Sequence, residues 1–146
     1  MASELKAPVK LKLKTTIRQS SETEAETYEL WSEGTIVQKR DQTYLQYEEV
    51  QEDKHIRSTL KFGTNEAVIL RNGDVKMRMP FLLNHEQNGH YDSEFGALPI
   101  VTYTKDMLFE PHDSKTSGRF YLNYDLIVGG QSVGDYTLEI NYSEGK

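Results

Sequence analysis

Val9-Lys10-Leu11-Lys12-Leu13-Lys14-Thr15-Thr16-Ile17-Arg18 sets apolar or β-branched residues at odd positions and mostly basic ones at even positions. A period of two sends successive side chains to opposite faces of a strand. The same pattern returns at Phe120, Leu122, Tyr124, Leu126 and Val128, and again at Tyr136, Leu138, Ile140 and Tyr142. No apolar period of 3.6 runs long enough to make a helix. The chain therefore reads as half-buried antiparallel strands.

Working outward, residues 1–8 read as a loose lead-in and 9–18 as the first strand. Further strands are expected over about 27–38, 43–50, 55–62, 66–71, 74–81, 90–95, 98–109, 118–128 and 134–142. Gly34 suggests a bulge near Ser32–Gly34. Asn84–Gly89 reads as a loop. Asn72-Gly73 predicts a type I′ hairpin with positive φ at both residues. Its register would set Leu70 opposite Val75, Val68 opposite Met77, and Arg71 opposite Asp74 on the outer face. In the last hairpin a three-residue loop, Gly129-Gly130-Gln131, would set Tyr124 opposite Tyr136 and Leu122 opposite Leu138. That choice keeps the apolar residues on one side. The expected fold is all-β, a single closed antiparallel meander β-barrel of about eight to ten strands spanning 1–146.

Composition narrows the function classes. The chain has 146 residues, 36% hydrophobic and 27% charged, with nine Tyr and five Phe, which suits a sheet with one wet face. A net charge of -6 argues against a nucleic-acid binder, which needs a basic surface. The Lys10, Lys12, Lys14 and Arg18 stripe is local and reads as the soluble outer face of an edge strand. With no cysteine, disulfides, thiolate catalysis and cysteine metal sites are excluded. Met1–Lys14 has no apolar core of signal-peptide length, and no run approaches the ~20 apolar residues of a membrane helix. A soluble cytoplasmic protein, with no membrane partner, is expected.

Few motifs carry chemistry. His85-Glu86-Gln87-Asn88-Gly89-His90 lacks the zinc-protease spacing, which needs two histidines four apart on a helix. A looser set of His85, His90, Asp92 and Glu94, or the pair His112-Asp113, reads as exposed loop, and no bound metal is expected. Glu22, Glu24 and Glu26 share a parity and read as a solvated loop. No nucleophile elbow or phosphate-cradling glycine loop occurs. No catalytic residue and no cofactor is therefore assigned. Met77 and Met79 fall on the apolar parity of the central hairpin, where flexible thioethers suit an irregular pocket. Tyr47, Tyr124 and Tyr136 also fall on apolar parities, and buried hydroxyls need partners.

The block Val68-Ile69-Leu70-Arg71-Asn72-Gly73-Asp74-Val75-Lys76-Met77 resembles the central hairpin of the YwiB-like family of small bacterial proteins. Tyr44-Leu45-Gln46-Tyr47-Glu48-Glu49, Phe81, Tyr91, Phe95-Gly96, Thr104-Lys105, Gly118 and Tyr124-Asp125-Leu126 fit the same family in order. The resemblance spans nearly the whole chain. It implies a closed barrel of lipocalin-like (calycin) type with no assigned activity, and so supplies no catalytic residues. The Gly-x-Trp signature of secreted lipocalins is absent, since Trp31 follows Glu29-Leu30. The first expectation for function is a non-catalytic module that binds a small apolar or amphipathic ligand in the lumen. Its walls would include Tyr47, Met77, Met79, Tyr124 and Tyr136. A structural or regulatory barrel with a filled core and a protein partner is second. A metal-assisted hydrolase on the histidine loop is last.

Overall fold

Alternation over so many segments leaves each strand one apolar face to bury, and ten strands bury it by curling the sheet on itself. The structure is a computed structural model that describes residues 4–19, 24–39, 42–51, 53–63, 65–93, 95–112 and 116–145. The strands are β1 (Glu4–Gln19), β2 (Glu26–Lys39), β3 (Gln42–Gln51), β4 (Lys54–Phe62) and β5 (Glu66–Gly73). They continue as β6 (Lys76–Leu82), β7 (Glu86–Ser93), β8 (Gly96–Pro111), β9 (Gly118–Val128) and β10 (Gln131–Glu144). Each strand pairs antiparallel with the next, and β1 pairs with β10, so the meander closes into a barrel.

β1 is longer than its alternation suggested. Glu4–Pro8, expected as part of a loose lead-in, pair with Lys39–Thr35 of β2, and Ala7 is buried opposite Ile36. The end of β2 needs a partner for its backbone groups, and these residues supply it. Pro8 is tolerated because pairing with β10 begins only at Val9. Pairing of β1 with β2 runs unbroken from Glu4↔Lys39 to Ile17↔Glu26, so the bulge expected at Ser32–Gly34 does not form on that side. Glu86–Gly89, expected as loop, are strand and pair with Tyr103–Ile100 of β8.

One half of the barrel is filled. Leu11, Ile36, Leu45, Leu60, Phe62, Phe81, Phe120, Leu122 and Ile140 are essentially inaccessible there. The Phe62 ring stacks on Phe120 at 4.7 Å and meets Phe109 edge-on at 4.6 Å, closing that end with aromatic rings. Each such Leu, Ile or Phe side chain contributes about 1.5–3 kcal/mol of transfer free energy.

The central hairpin departs from the expected register. Ile69 faces Met79, Leu70 faces Arg78 and Arg71 faces Met77. Among the described residues only Asn84 is a non-glycine with positive φ, so Asn72 is not, while Gly73 has φ 105°. The reason lies in β4. Pairing of β5 with β4 continues through Arg57↔Asn72 and Ile56↔Gly73, which draws Asn72-Gly73 into the strand. Asp74 then ties to β4 as well: its N–H donates to the His55 carbonyl (3.1 Å), and its carboxylate accepts from the His55 N–H (2.7 Å). Ala67, Ile69 and Arg71 consequently face inward. Val68 and Leu70, on the alternate parity, are half-buried on the outside.

The last hairpin has the expected pairs, Tyr124↔Tyr136 and Leu122↔Leu138, by another route. Val128 faces Gln131 across a two-residue Gly129-Gly130 turn with φ 60° and 83°, and a bulge between Ser132 and Gly134 restores the parity. A second bulge, between Thr104 and Asp106, throws Lys105 outward to ion-pair Asp125 (3.0 Å) and Asp135 (2.8 Å).

The two residues of the central turn should respond differently to substitution. A Cβ on Gly73 would lie 2.4 Å from the His55 carbonyl oxygen, on a backbone that L residues avoid. Gly73→Ala should lose about 1–3 kcal/mol of stability. Asn72→Ala should stay within about 0.5 kcal/mol. Urea unfolding of both variants measures this, and equal losses would restore the type I′ turn.

Candidate functional site

The other half of the barrel is not filled. β2 and β3 pair only from Lys39↔Gln42 to Gly34↔Tyr47. They touch so closely at that limit that a Cβ on Gly34 would sit 2.2 Å from the Gln46 carbonyl oxygen. Beyond it the strands part. Glu26–Glu33 keep only β1 as a ladder partner, and Glu48–Gln51 only β4. The Ser32 hydroxyl donates to the Glu48 carbonyl across the gap (3.2 Å). Behind this seam lies a cavity of about 470 Å³, within the roughly 300–1,000 Å³ of small-molecule sites.

Most of its wall is apolar: Leu13, Ile17 and Leu30 near the mouth, and Ile69, Met77, Met79, Leu126 and Leu138 around the sides. Tyr28 and Leu30 remain 55% and 37% exposed where β2 leaves β3, which marks the opening. All five lumen residues expected from parity, Tyr47, Met77, Met79, Tyr124 and Tyr136, line the same cavity. Tyr124 stacks on Tyr136 at 5.4 Å and leans on Phe81 at 4.7 Å, joining the cavity wall to the packed half.

The cavity also holds an ion pair that the sequence reading missed. Arg71 and Glu49 both line it. Glu49 is 5% exposed, and its carboxylate stands 3.8 Å from an Arg71 terminal nitrogen, beyond hydrogen-bond length. The buried Arg71 Nε has no hydrogen-bond partner, nor do the hydroxyls of Ser58 and Thr104. Burial pushes the Tyr47 phenol up to about 12, helped by the Glu49 charge and opposed by Arg71 and Ser58. Burial also holds Tyr124 well above the usual phenol range, with Tyr136 adding to the rise and Arg71 opposing it. Tyr136 is raised by burial. All three phenols therefore stay protonated at neutral pH and present O–H donors.

Arg71 was expected outside, beside Asp74, because the Asn-Gly rule gave β5 the wrong face. Glu49 did carry a signal: Thr43, Leu45, Tyr47 and Glu49 share one parity, and all four are buried. The histidines stand apart from the cavity. His85 Nδ1 lies 2.9 Å from the Leu83 carbonyl, His90 pairs with Asp92 at 3.3 Å, and His112 lies 3.3 Å from the Ser117 hydroxyl. Among the described residues no three His, Asp or Glu side chains gather as a metal site. Glu24 is exposed, and Glu26 opens β2, its carboxylate accepting from the Tyr28 hydroxyl. Glu22, Glu94 and Asp113 lie outside the described residues.

A family profile described as a domain of unknown function, DUF1934, matches residues 11–140. The chain belongs to this family. The DUF1934 match takes in every strand of the barrel in whole or in part. The chain is also similar to the uncharacterized beta-barrel protein YwiB of Bacillus subtilis strain 168, with 27% identity over 138 residues and 94% of each chain covered. The crystal structure of the ywiB protein from Bacillus subtilis superposes with a TM-score of 0.83 at 25% identity, covering 97% of this chain and 94% of that one. The barrel fold is thus shared with a solved structure.

The raised phenols predict an alkaline sensitivity. Each keeps its proton longer folded than unfolded. Stability is therefore whole below the ordinary phenol value near 10 and falls as pH rises through the folded value of about 12 for Tyr47. Urea unfolding at pH 9 and at pH 11 should differ by about 1–3 kcal/mol. Tyr47→Phe should shrink the difference, and an unchanged difference would contradict the burial of this phenol.

Proposed function

We propose that the protein is a cytoplasmic, non-catalytic binding module, calycin-like in use, that holds a small amphipathic molecule in the open half of its barrel. One observation carries this reading: a cavity of about 470 Å³ is lined by a mostly apolar wall that also carries Tyr47, Tyr124, Tyr136, Arg71 and Glu49. An apolar tail gains by leaving water along Leu13, Ile69, Met77, Met79 and Leu138. The methionines let the wall adapt in shape. A polar head finds Tyr47, Tyr124, Tyr136, Arg71 and Glu49 along the same lumen.

A second reading, a barrel that binds another protein through its outer face, draws on Trp31. It points outward from β2, 66% exposed, with the Lys12 ammonium 5.3 Å above its ring. Isolated surface aromatics are common, and the aromatic-lined cavity is the more specific feature.

Titration with an apolar fluorescent dye separates the two. Wild type should bind dye with saturable enhancement, and Met77→Trp should fill the cavity and weaken binding about tenfold or more while leaving the circular dichroism of the barrel unchanged. Absence of binding to wild type, or no effect of the tryptophan in a folded variant, would move the weight to the outer-face reading.

A further inference from the structure

The polar groups of the cavity are unbalanced. Arg71 brings five N–H donors, and Tyr47, Tyr124 and Tyr136 each bring one O–H. Glu49 is the carboxylate that faces them. It lies 3.8 Å from Arg71, an ion pair without hydrogen-bond contact. The Arg71 side chain stays 33% accessible, and its Nε is buried without a partner. A guanidinium in an apolar wall strongly favours an acceptor that can take several N–H groups together.

We infer that the head group this cavity takes is a carboxylate, seated on Arg71 with the tyrosine hydroxyls around it. The ligand class is then an apolar monocarboxylic acid. The inference rests on the lumen reading above and adds the head group. A carboxylate brings acceptors only and matches the surplus of donors. An ammonium head would bring three more donors and would meet the Arg71 charge. An alcohol would leave most of the guanidinium unmet. Glu49 opposes an anionic head, and so limits affinity without reversing the preference. The tail lies along the apolar side chains Leu13, Met79, Leu126 and Leu138 of the same cavity.

Calorimetric titration of the full chain with decanoate, decanol and decylamine tests this. Decanoate should bind wild type about tenfold or more tightly than either other probe. Arg71→Met should remove that advantage while decanol binding stays within about threefold. Glu49→Gln should tighten decanoate by relieving repulsion. Arg71→Met leaves Glu49 buried without its cation, so Glu49→Gln/Arg71→Met provides an uncharged cavity in which decanoate should again lose its advantage. Decanol or decylamine binding as tightly as decanoate, or decanoate binding indifferent to Arg71, would overturn the carboxylate head while leaving the lumen reading intact. If none of the three binds wild type, the lumen reading itself falls, and the head group with it.

Discussion

Every inward side chain in this barrel depends on β1 closing against β10. That seam runs through consecutive pairs from Val9↔Glu144 to Gln19↔Gly134. Closure removes sheet edges and gives each strand one inner and one outer face. A slip of one residue at any seam would turn a whole inner face to water. The two bulges, at Thr104/Asp106 and Ser132/Gly134, are tolerated because each re-phases its strand before the next inward residue.

Ten strands make a wider tube than side chains of ordinary size must fill, since eight already enclose room for one small ligand. The chain meets that geometry in two ways. At one end the Phe62, Phe109 and Phe120 rings occupy the lumen. At the other, β2 and β3 separate after Gly34, and the space stays open behind Tyr28 and Leu30. Tyr124 and Phe81 lie where the two halves meet. The pair of a buried Glu49 and a one-third accessible Arg71 belongs to the open half. Ions taken from water are costly, and a pair at 3.8 Å recovers little of that cost through hydrogen bonding. A hydrophobic pair of similar size would serve stability at least as well, so its presence in a cavity agrees with a binding role.

The outer face contributes register more than energy. Arg119 bridges Glu110 (3.0 Å) and Glu139 (2.9 Å), tying β8, β9 and β10 across the sheet. Lys105 joins Asp125 and Asp135 over the same three strands. Exposed pairs of this kind are each worth about 0–1 kcal/mol. Their placement opposes slippage of the strands that carry Tyr124 and Tyr136.

The sequence by itself determined the strand class, the meander order, and the inward parity of Tyr47, Met77, Met79, Tyr124 and Tyr136. It left the strand count at about eight to ten, of which the structure has ten. Alternation is a local property of one strand, and these residues lie in segments where it is unambiguous. Glu49 was legible on the same ground, as the next inward position after Tyr47. Arg71 was not. Ala67-Val68-Ile69-Leu70 is apolar at every position, so parity says nothing about which face of β5 turns inward. The Asn72-Gly73 signal then pointed to a turn that β4 overrides by pairing through Gly73. Register belongs to pairs of strands and to the neighbours that compete for them. Only the closed structure could therefore bring Arg71 to Glu49, part β2 from β3, and form a cavity between them and the far wall of the barrel.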